Sequence, residues 1–203
     1  MINIIAPINN SIIYDLKPRI LVELDSNSTS VIYATLINSK GTFKYSSRSN
    51  PELFSKIAFN KAVNFCFTPL DTCYGLNKLY IKYQCNEKYS EYKTLTFNIN
   101  TIELDTDNNL ITTDLYSRLV EITNNILIAY KRPSLSITLP TINESKIYSN
   151  YFSIIINALY EVNDYINNNY PGMNRYKIKP FLKSKIKISK SILDSIIDLI
   201  LNL

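Results

Sequence analysis

The sequence predicts an α+β protein built as two separate modules in series. An antiparallel β-sandwich occupies residues 1–104 and an α-helical module occupies 105–203. Three observations carry this. Apolar and polar residues alternate from Ile2 to about Thr101, the period of half-buried strands. The period becomes helical after Asp105-Thr106-Asp107-Asn108-Asn109. No helix-length amphipathic stretch interrupts the first half, which argues against a parallel βαβ construction.

The strands follow in order. Ile2 to Ile5 opens the set. Arg19 to Asp25 places Ile20, Val22 and Leu24 on one face. Val31 to Ile37 is β-branched and apolar, and Gly41 to Tyr45 follows the turn Asn38-Ser39-Lys40. Lys61 to Phe67 turns Val63, Phe65 and Phe67 inward, with Cys66 facing the other way. Asn77 to Cys85 and Glu91 to Asn100 complete about seven strands, the spacing expected of a sandwich. Turn clusters separate them at Ser26-Asn27-Ser28, Ser46 to Pro51, Thr68 to Asp71 and Asn86-Glu87-Lys88.

Three helices are expected in the second half. Leu115, Leu119, Ile122, Ile126 and Ala129 share a face, with Thr112 or Thr113 as cap, Asp114 in the first turn and Pro133 as the stop. A second helix is expected over about 144–168, with Ile147, Tyr151, Ile154, Ala158, Leu159, Val162 and Tyr165 at helical spacing. Asn167 to Gly172 ends it. A third starts near Ser189 and aligns Ile192, Ile196, Leu199 and Ile200. Short amphipathic helices need tertiary partners, so these pack on each other, on the sandwich or on another chain.

Composition narrows the function. The chain has 203 residues, 46% hydrophobic and 19% charged, enough to bury a core without disulfides or metals. Ile, Asn, Lys and Tyr are abundant, an accent that AT-rich codons produce. Net charge is +5, too mild to hold nucleic acid by itself. Arg175, Lys177, Lys179, Lys183, Lys185, Lys187 and Lys190 form a basic run, either a solvated loop or a contact to an acidic neighbour. Cys66, Cys73 and Cys85 fit no zinc spacing, and Met1 to Asn10 lacks the pattern of a leader. The expectation is cytoplasmic synthesis with free thiols and no membrane insertion.

Several segments carry a resemblance. They are Ile5-Ala6-Pro7, Lys17-Pro18-Arg19-Ile20-Leu21-Val22, Phe65-Cys66-Phe67-Thr68-Pro69, Tyr74 to Ile81 with its Gly75 turn, and Leu95-Thr96-Phe97-Asn98-Ile99. Together they resemble immunoglobulin-like and fibronectin-type modules of bacterial surface and phage tail proteins. Two features depart from antibody domains: Trp is absent, and Cys66 faces away from its inward neighbours, so a disulfide between the sheets is not supported. The stretch from Ile178 to Ile192 similarly resembles a small helical hairpin of tail fibre and baseplate chains.

The search for chemistry returns little. Without histidine, Ser-His-Asp and Cys-His catalysis are excluded. Gly41, Gly75 and Gly172 are too isolated to cradle phosphate. Asp105 and Asp107 lack the glycine and distal glutamate of a calcium loop. Glu161 and Asp164 flank an apolar helical face and read as solvated. Tyr74, Tyr80, Tyr83, Tyr89 and Tyr92 cluster near the last strands.

The expectation is therefore a protein without catalytic, cofactor-binding or metal-binding residues. It would be a structural adaptor subunit of a phage tail or phage-tail-like contractile particle, at the baseplate or fibre attachment, with other structural subunits as partners. It would mature in the virion or particle. Interface residues are expected at Lys183, Lys185, Lys187, Ile192, Ile196 and Ile200. The alternative is a surface adhesin or carbohydrate-binding module that uses Tyr80, Tyr83 and Tyr92 as a platform.

Overall fold

A computed structural model describes residues 1–24, 30–59, 62–102, 112–136, 149–169 and 190–203. Among the described residues ten strands come first: β1 (Ile2–Ala6), β2 (Ser11–Ile13), β3 (Ile20–Leu24), β4 (Val31–Asn38), β5 (Gly41–Ser46), β6 (Phe54–Phe59), β7 (Ala62–Phe67), β8 (Gly75–Cys85), β9 (Lys88–Tyr89) and β10 (Lys93–Ile99). One 3₁₀ turn, Pro51–Leu53, leads into β6. Three helices follow among the described residues: α1 (Thr113–Ala129), α2 (Ser149–Asn169) and α3 (Lys190–Leu201).

The strands form two sheets. The first runs β1-β3-β7-β6 and the second β2-β10-β8-β4-β5, with β9 added to β8. All pairings are antiparallel except β2 with β10, which is parallel. Three strands go beyond the expected set. β2 has three residues and β9 two, too short for an alternation to show. β6 lies between the expected turn ending at Pro51 and the expected strand starting at Lys61, a stretch with no element assigned from alternation.

Alternation explains the inner layer. Ile20, Val22 and Leu24 pair with Phe67, Phe65 and Val63, and all six are buried. Ile32, Ala34 and Leu36 of β4, Leu79 and Ile81 of β8, and Leu95, Phe97 and Ile99 of β10 supply the facing layer. Phe67 meets Phe54 in a stack at 4.6 Å and Tyr45 edge-on at 5.3 Å, so β6, β7 and β5 interlock across the sandwich. Each such side chain contributes roughly 1.5–3 kcal/mol of burial.

The outward face of the first sheet is not solvated at one end. Leu21 and Cys66 sit opposite each other at outward positions, yet both are buried. The helices approach there. Tyr130, which caps α1, donates to the Leu203 carbonyl (2.8 Å) and to the Arg19 carbonyl (3.5 Å). Arg19, only 5% exposed, donates from Nη2 to the Asn202 carbonyl (3.0 Å) and from Nε to the Leu203 carbonyl (3.4 Å). The guanidinium thus satisfies carbonyls beyond the end of α3, and burying a cation requires such partners. Along α1, the Ile8 amide donates to the Ala129 carbonyl (2.9 Å) and Asn125 donates to the Tyr14 hydroxyl (2.9 Å). The two expected modules therefore meet in one core that includes Leu21 and Cys66, Leu119 and Ile126 of α1, Phe152 and Leu159 of α2, and Ile196 and Leu199 of α3.

Helix α1 follows the expected face: Leu115, Leu119, Ile122, Ile126 and Ala129 are buried, and the Thr112 hydroxyl accepts from the Leu115 amide (3.2 Å). Helix α2 keeps part of the expected face, with Ala158, Leu159 and Val162 buried. Phe152, Ile155, Leu159, Val162 and Ile166 face the core, while Ile154 is exposed. Ile147 and the Tyr151 side chain lie outside the described residues, as do the turn at Ser26-Asn27-Ser28, the segment Asp105 to Asn109 and the hairpin stretch up to Ser189.

Candidate functional site

The second sheet keeps an open outer face. Outward positions on β4 are Val31, Tyr33, Thr35 and Ile37, and on β8 they are Leu76, Lys78, Tyr80, Lys82 and Gln84. β10 adds Thr94, Thr96 and Asn98, and β5 adds Thr42, Lys44 and Ser46. None of these side chains is buried, in contrast to Leu21 and Cys66 on the opposite sheet.

Register gathers the aromatic residues. Tyr33 lies beside Lys82 in the β4–β8 pair, and Tyr80 lies between Thr35 and Thr94. The hairpin β8–β9 turns through Asn86 and Glu87, both at positive φ (47° and 63°). That left-handed pair is what a two-residue hairpin turn demands. It sets Tyr89 opposite Gln84, on the same outer face. Tyr92 precedes β10 and meets Tyr80 edge-on at 6.4 Å.

Lys82 is the centre of this group. Its Nζ lies 4.3 Å from the Tyr89 ring centroid, 4.7 Å from Tyr92 and 6.0 Å from Tyr33. Three rings around one ammonium hold it by cation–π attraction, roughly 0.5–1 kcal/mol per contact at an exposed site. Tyr33 packs on Tyr89 at 5.8 Å and donates its hydroxyl to Gln84 Oε1 (2.9 Å). Tyr89 and Tyr92 are more than half exposed, at 56% and 54%.

The structure redraws the expected tyrosine platform. Tyr80 and Tyr92 belong to it. Tyr83 does not: it pairs with inward-facing Ile32, packs against the core and accepts from the Met1 ammonium (3.4 Å). Residue parity on β8 decides this, since positions 80 and 83 point to opposite faces. Tyr33 and Lys82 were missed because they are brought to Tyr89 and Tyr92 by β4–β8 register, which no local pattern reveals.

Ile196 and Ile200 are each 1% exposed and face the chain's own core, and Ile192 is half-buried beside them. Lys183, Lys185 and Lys187 lie outside the described residues. Glu161 and Asp164 are exposed on α2. Among the described residues no group of three or more His, Cys, Asp or Glu could hold a metal. No described helix is long and apolar enough to cross a membrane. All three cysteines are unpaired; burial pushes the Cys66 thiol up to about 12.

A second polar node fixes the β7–β8 connection. Asn77 is fully buried and donates to the Cys73 (2.8 Å) and Gly75 (3.0 Å) carbonyls. Its Oδ1 accepts from Asn38 (3.0 Å) and the Cys73 amide (3.3 Å). Tyr45 donates to Asp71 (2.5 Å), and burial together with that carboxylate raises its pKa. Every amide group of Asn77 is occupied, so this node is structural.

No protein-family model matches the sequence, and no curated protein does. Several solved structures show slight likeness, among them three carbohydrate-active proteins. A cell-surface-expressed multi-modular chitinase from Paenibacillus sp. str. FPU-7 aligns at 12% identity and TM-score 0.34, over 45% of this chain and 9% of that one. A candidate glycoside hydrolase from Bacteroides vulgatus ATCC 8482 aligns at 10% identity and TM-score 0.31, over 50% and 18%. An amylomaltase from Corynebacterium glutamicum aligns at 13% identity and TM-score 0.29, over 61% and 20%. The chain thus spans at most a fifth of the length of these proteins.

Proposed function

We propose that this protein is a non-catalytic structural adaptor of a phage tail or phage-tail-like contractile particle, built on an immunoglobulin-like sandwich. Strand order supports the sandwich type. β1, β3, β7 and β6 take the places A, B, E and D, while β4, β5, β8 and β10 take C, C′, F and G. The observation that carries the adaptor reading is the division of the surface. Helices cover one end of the first sheet, and the second sheet leaves a broad face open with tyrosines at its centre. Tyrosine is enriched where proteins meet, because its ring is large, rigid and polar at one end.

The carbohydrate-binding reading rests on the same tyrosines, and their geometry favours it less. Sugars stack on exposed, nearly coplanar rings. Here Tyr33 and Tyr89 are tilted by 53° and Tyr80 and Tyr92 by 89°. The test of the adaptor reading is quantitative mass spectrometry of purified tail-like particles from the producing cell. The chain is expected at a fixed small-integer ratio to the particle's other subunits. Intact particles that lack it would sink the reading.

A further inference from the structure

The geometry points to the open face of the second sheet as a docking surface for an acidic protein segment, which places a carboxylate on Lys82 within the ring of Tyr33, Tyr89 and Tyr92. This deepens the adaptor reading and rests on it, naming the surface and the chemistry of the partner. Charge is the first argument. The outward positions of β5, β4, β8 and β10 carry Lys44, Lys78 and Lys82 and no Asp or Glu. The ion pair between described residues is Arg118 with Glu121, on α1 and away from this face. Lys82 therefore meets no carboxylate among the described residues, although three aromatic rings fix its position.

Geometry is the second argument. Lys82 is half-buried between Tyr89 and Tyr92, so its ammonium has lost part of its freedom before any partner arrives. A preordered cation in a partly apolar surround binds a carboxylate by a charge-assisted hydrogen bond with little further ordering cost. The rings exclude water around that bond, the arrangement found at the energetic centres of protein interfaces. Ile37 and Leu76, 39% and 50% exposed, offer apolar contact beyond the rings. Thr35, Thr94, Thr96 and Asn98 supply neutral donors and acceptors, so an extended segment finds partners along the face. An anionic glycan shares the charge but not the apolar contacts, and the tilted rings give it no stacking surface.

The test is a nitrogen-15 correlation spectrum of the full chain titrated with a blocked peptide of alternating Glu and Leu. A Lys-Leu peptide and polygalacturonate serve as controls. The Glu-Leu peptide is expected to shift Tyr33, Lys82, Tyr89 and Tyr92 saturably and to weaken as salt rises. Lys82→Gln and Tyr92→Ser should each weaken it at least fivefold while leaving the rest of the spectrum unchanged. Both residues lie at the surface, so a preserved spectrum certifies the fold. The inference is overturned if the peptide shifts scatter over all lysines, if Lys82→Gln binds as well as the parent chain, or if polygalacturonate alone occupies the patch. Peptide binding here by a chain that particles lack would sink the adaptor reading and leave the acidic-segment site standing.

Discussion

Cys66 shows how a residue's fate departs from its local pattern. Its parity turns it away from the sandwich interior, as alternation predicts, yet it is 1% exposed because the helices cover that spot. Burial pushes its pKa to about 12, with Arg19 acting in the opposite direction. Cys73 is also buried, while Cys85 near the end of β8 is half-exposed. A thiol reagent at pH 8 should therefore modify one cysteine per native chain rapidly, Cys85, and three in denaturant, as mass spectrometry of the adducts will show. The same shift has a pH signature. A thiol raised in the folded state contributes stability that is complete below the unfolded value of about 9 and is lost as pH rises toward 12. Denaturant midpoints should fall over that window, and Cys66→Ala should remove the part that begins near pH 9. Burial raises Tyr130 as well, which adds to the fall at the upper end.

At the scale of elements, helix α1 was legible and its ending was not. The 3.6-residue stripe from Leu115 to Ala129 and the Thr112 cap are local features, and the structure has both. The helix closes through Lys131 at φ 57°, with the Arg132 amide donating to the Leu127 carbonyl (2.7 Å) and the Lys131 amide to Ile128 (3.0 Å). This is a Schellman closure, which glycine ordinarily makes. Lysine disguises it, and Pro133 was the readable stop instead. Because an L-residue is strained there, Lys131→Gly should raise the unfolding free energy by about 1 kcal/mol in urea denaturation. Helix α2 buries Ala158, Leu159 and Val162 as its period predicts but departs at Ile154, since Ile154 and Ile155 are both apolar. Packing chose Ile155, and Tyr165 is half-buried against the core with its ring at the Arg132 guanidinium (4.1 Å).

For the whole molecule, the boundary near residue 105 marks a change of secondary structure across a shared core. The core passes from Phe65 and Leu21 through Tyr130 into Leu119, Phe152 and Ile196. Arg19 ties the sandwich to carbonyls beyond α3, and the Ile8 amide ties it to α1. Scanning calorimetry of the full chain should accordingly give one cooperative transition whose van't Hoff and calorimetric enthalpies agree. Two resolved peaks would mean that the sandwich and the helices melt independently. Arg19→Met should lower the midpoint of that single transition, because it removes the guanidinium's two hydrogen bonds to the Asn202 and Leu203 carbonyls beyond α3.

The sequence by itself determined the sandwich strands with clear alternation, the helical half, the α1 face and the lack of histidine chemistry. These follow from period and composition, which act over a few residues. Tertiary structure decided what depends on register and docking. It placed β2 parallel to β10, covered Leu21 and Cys66, and turned Ile196 and Ile200 inward. It also brought Tyr33, on β4, to Lys82, on β8. The physical reason is range: a pairing between strands about fifty residues apart is set by the total burial of two sheets, and no short window of sequence contains that sum.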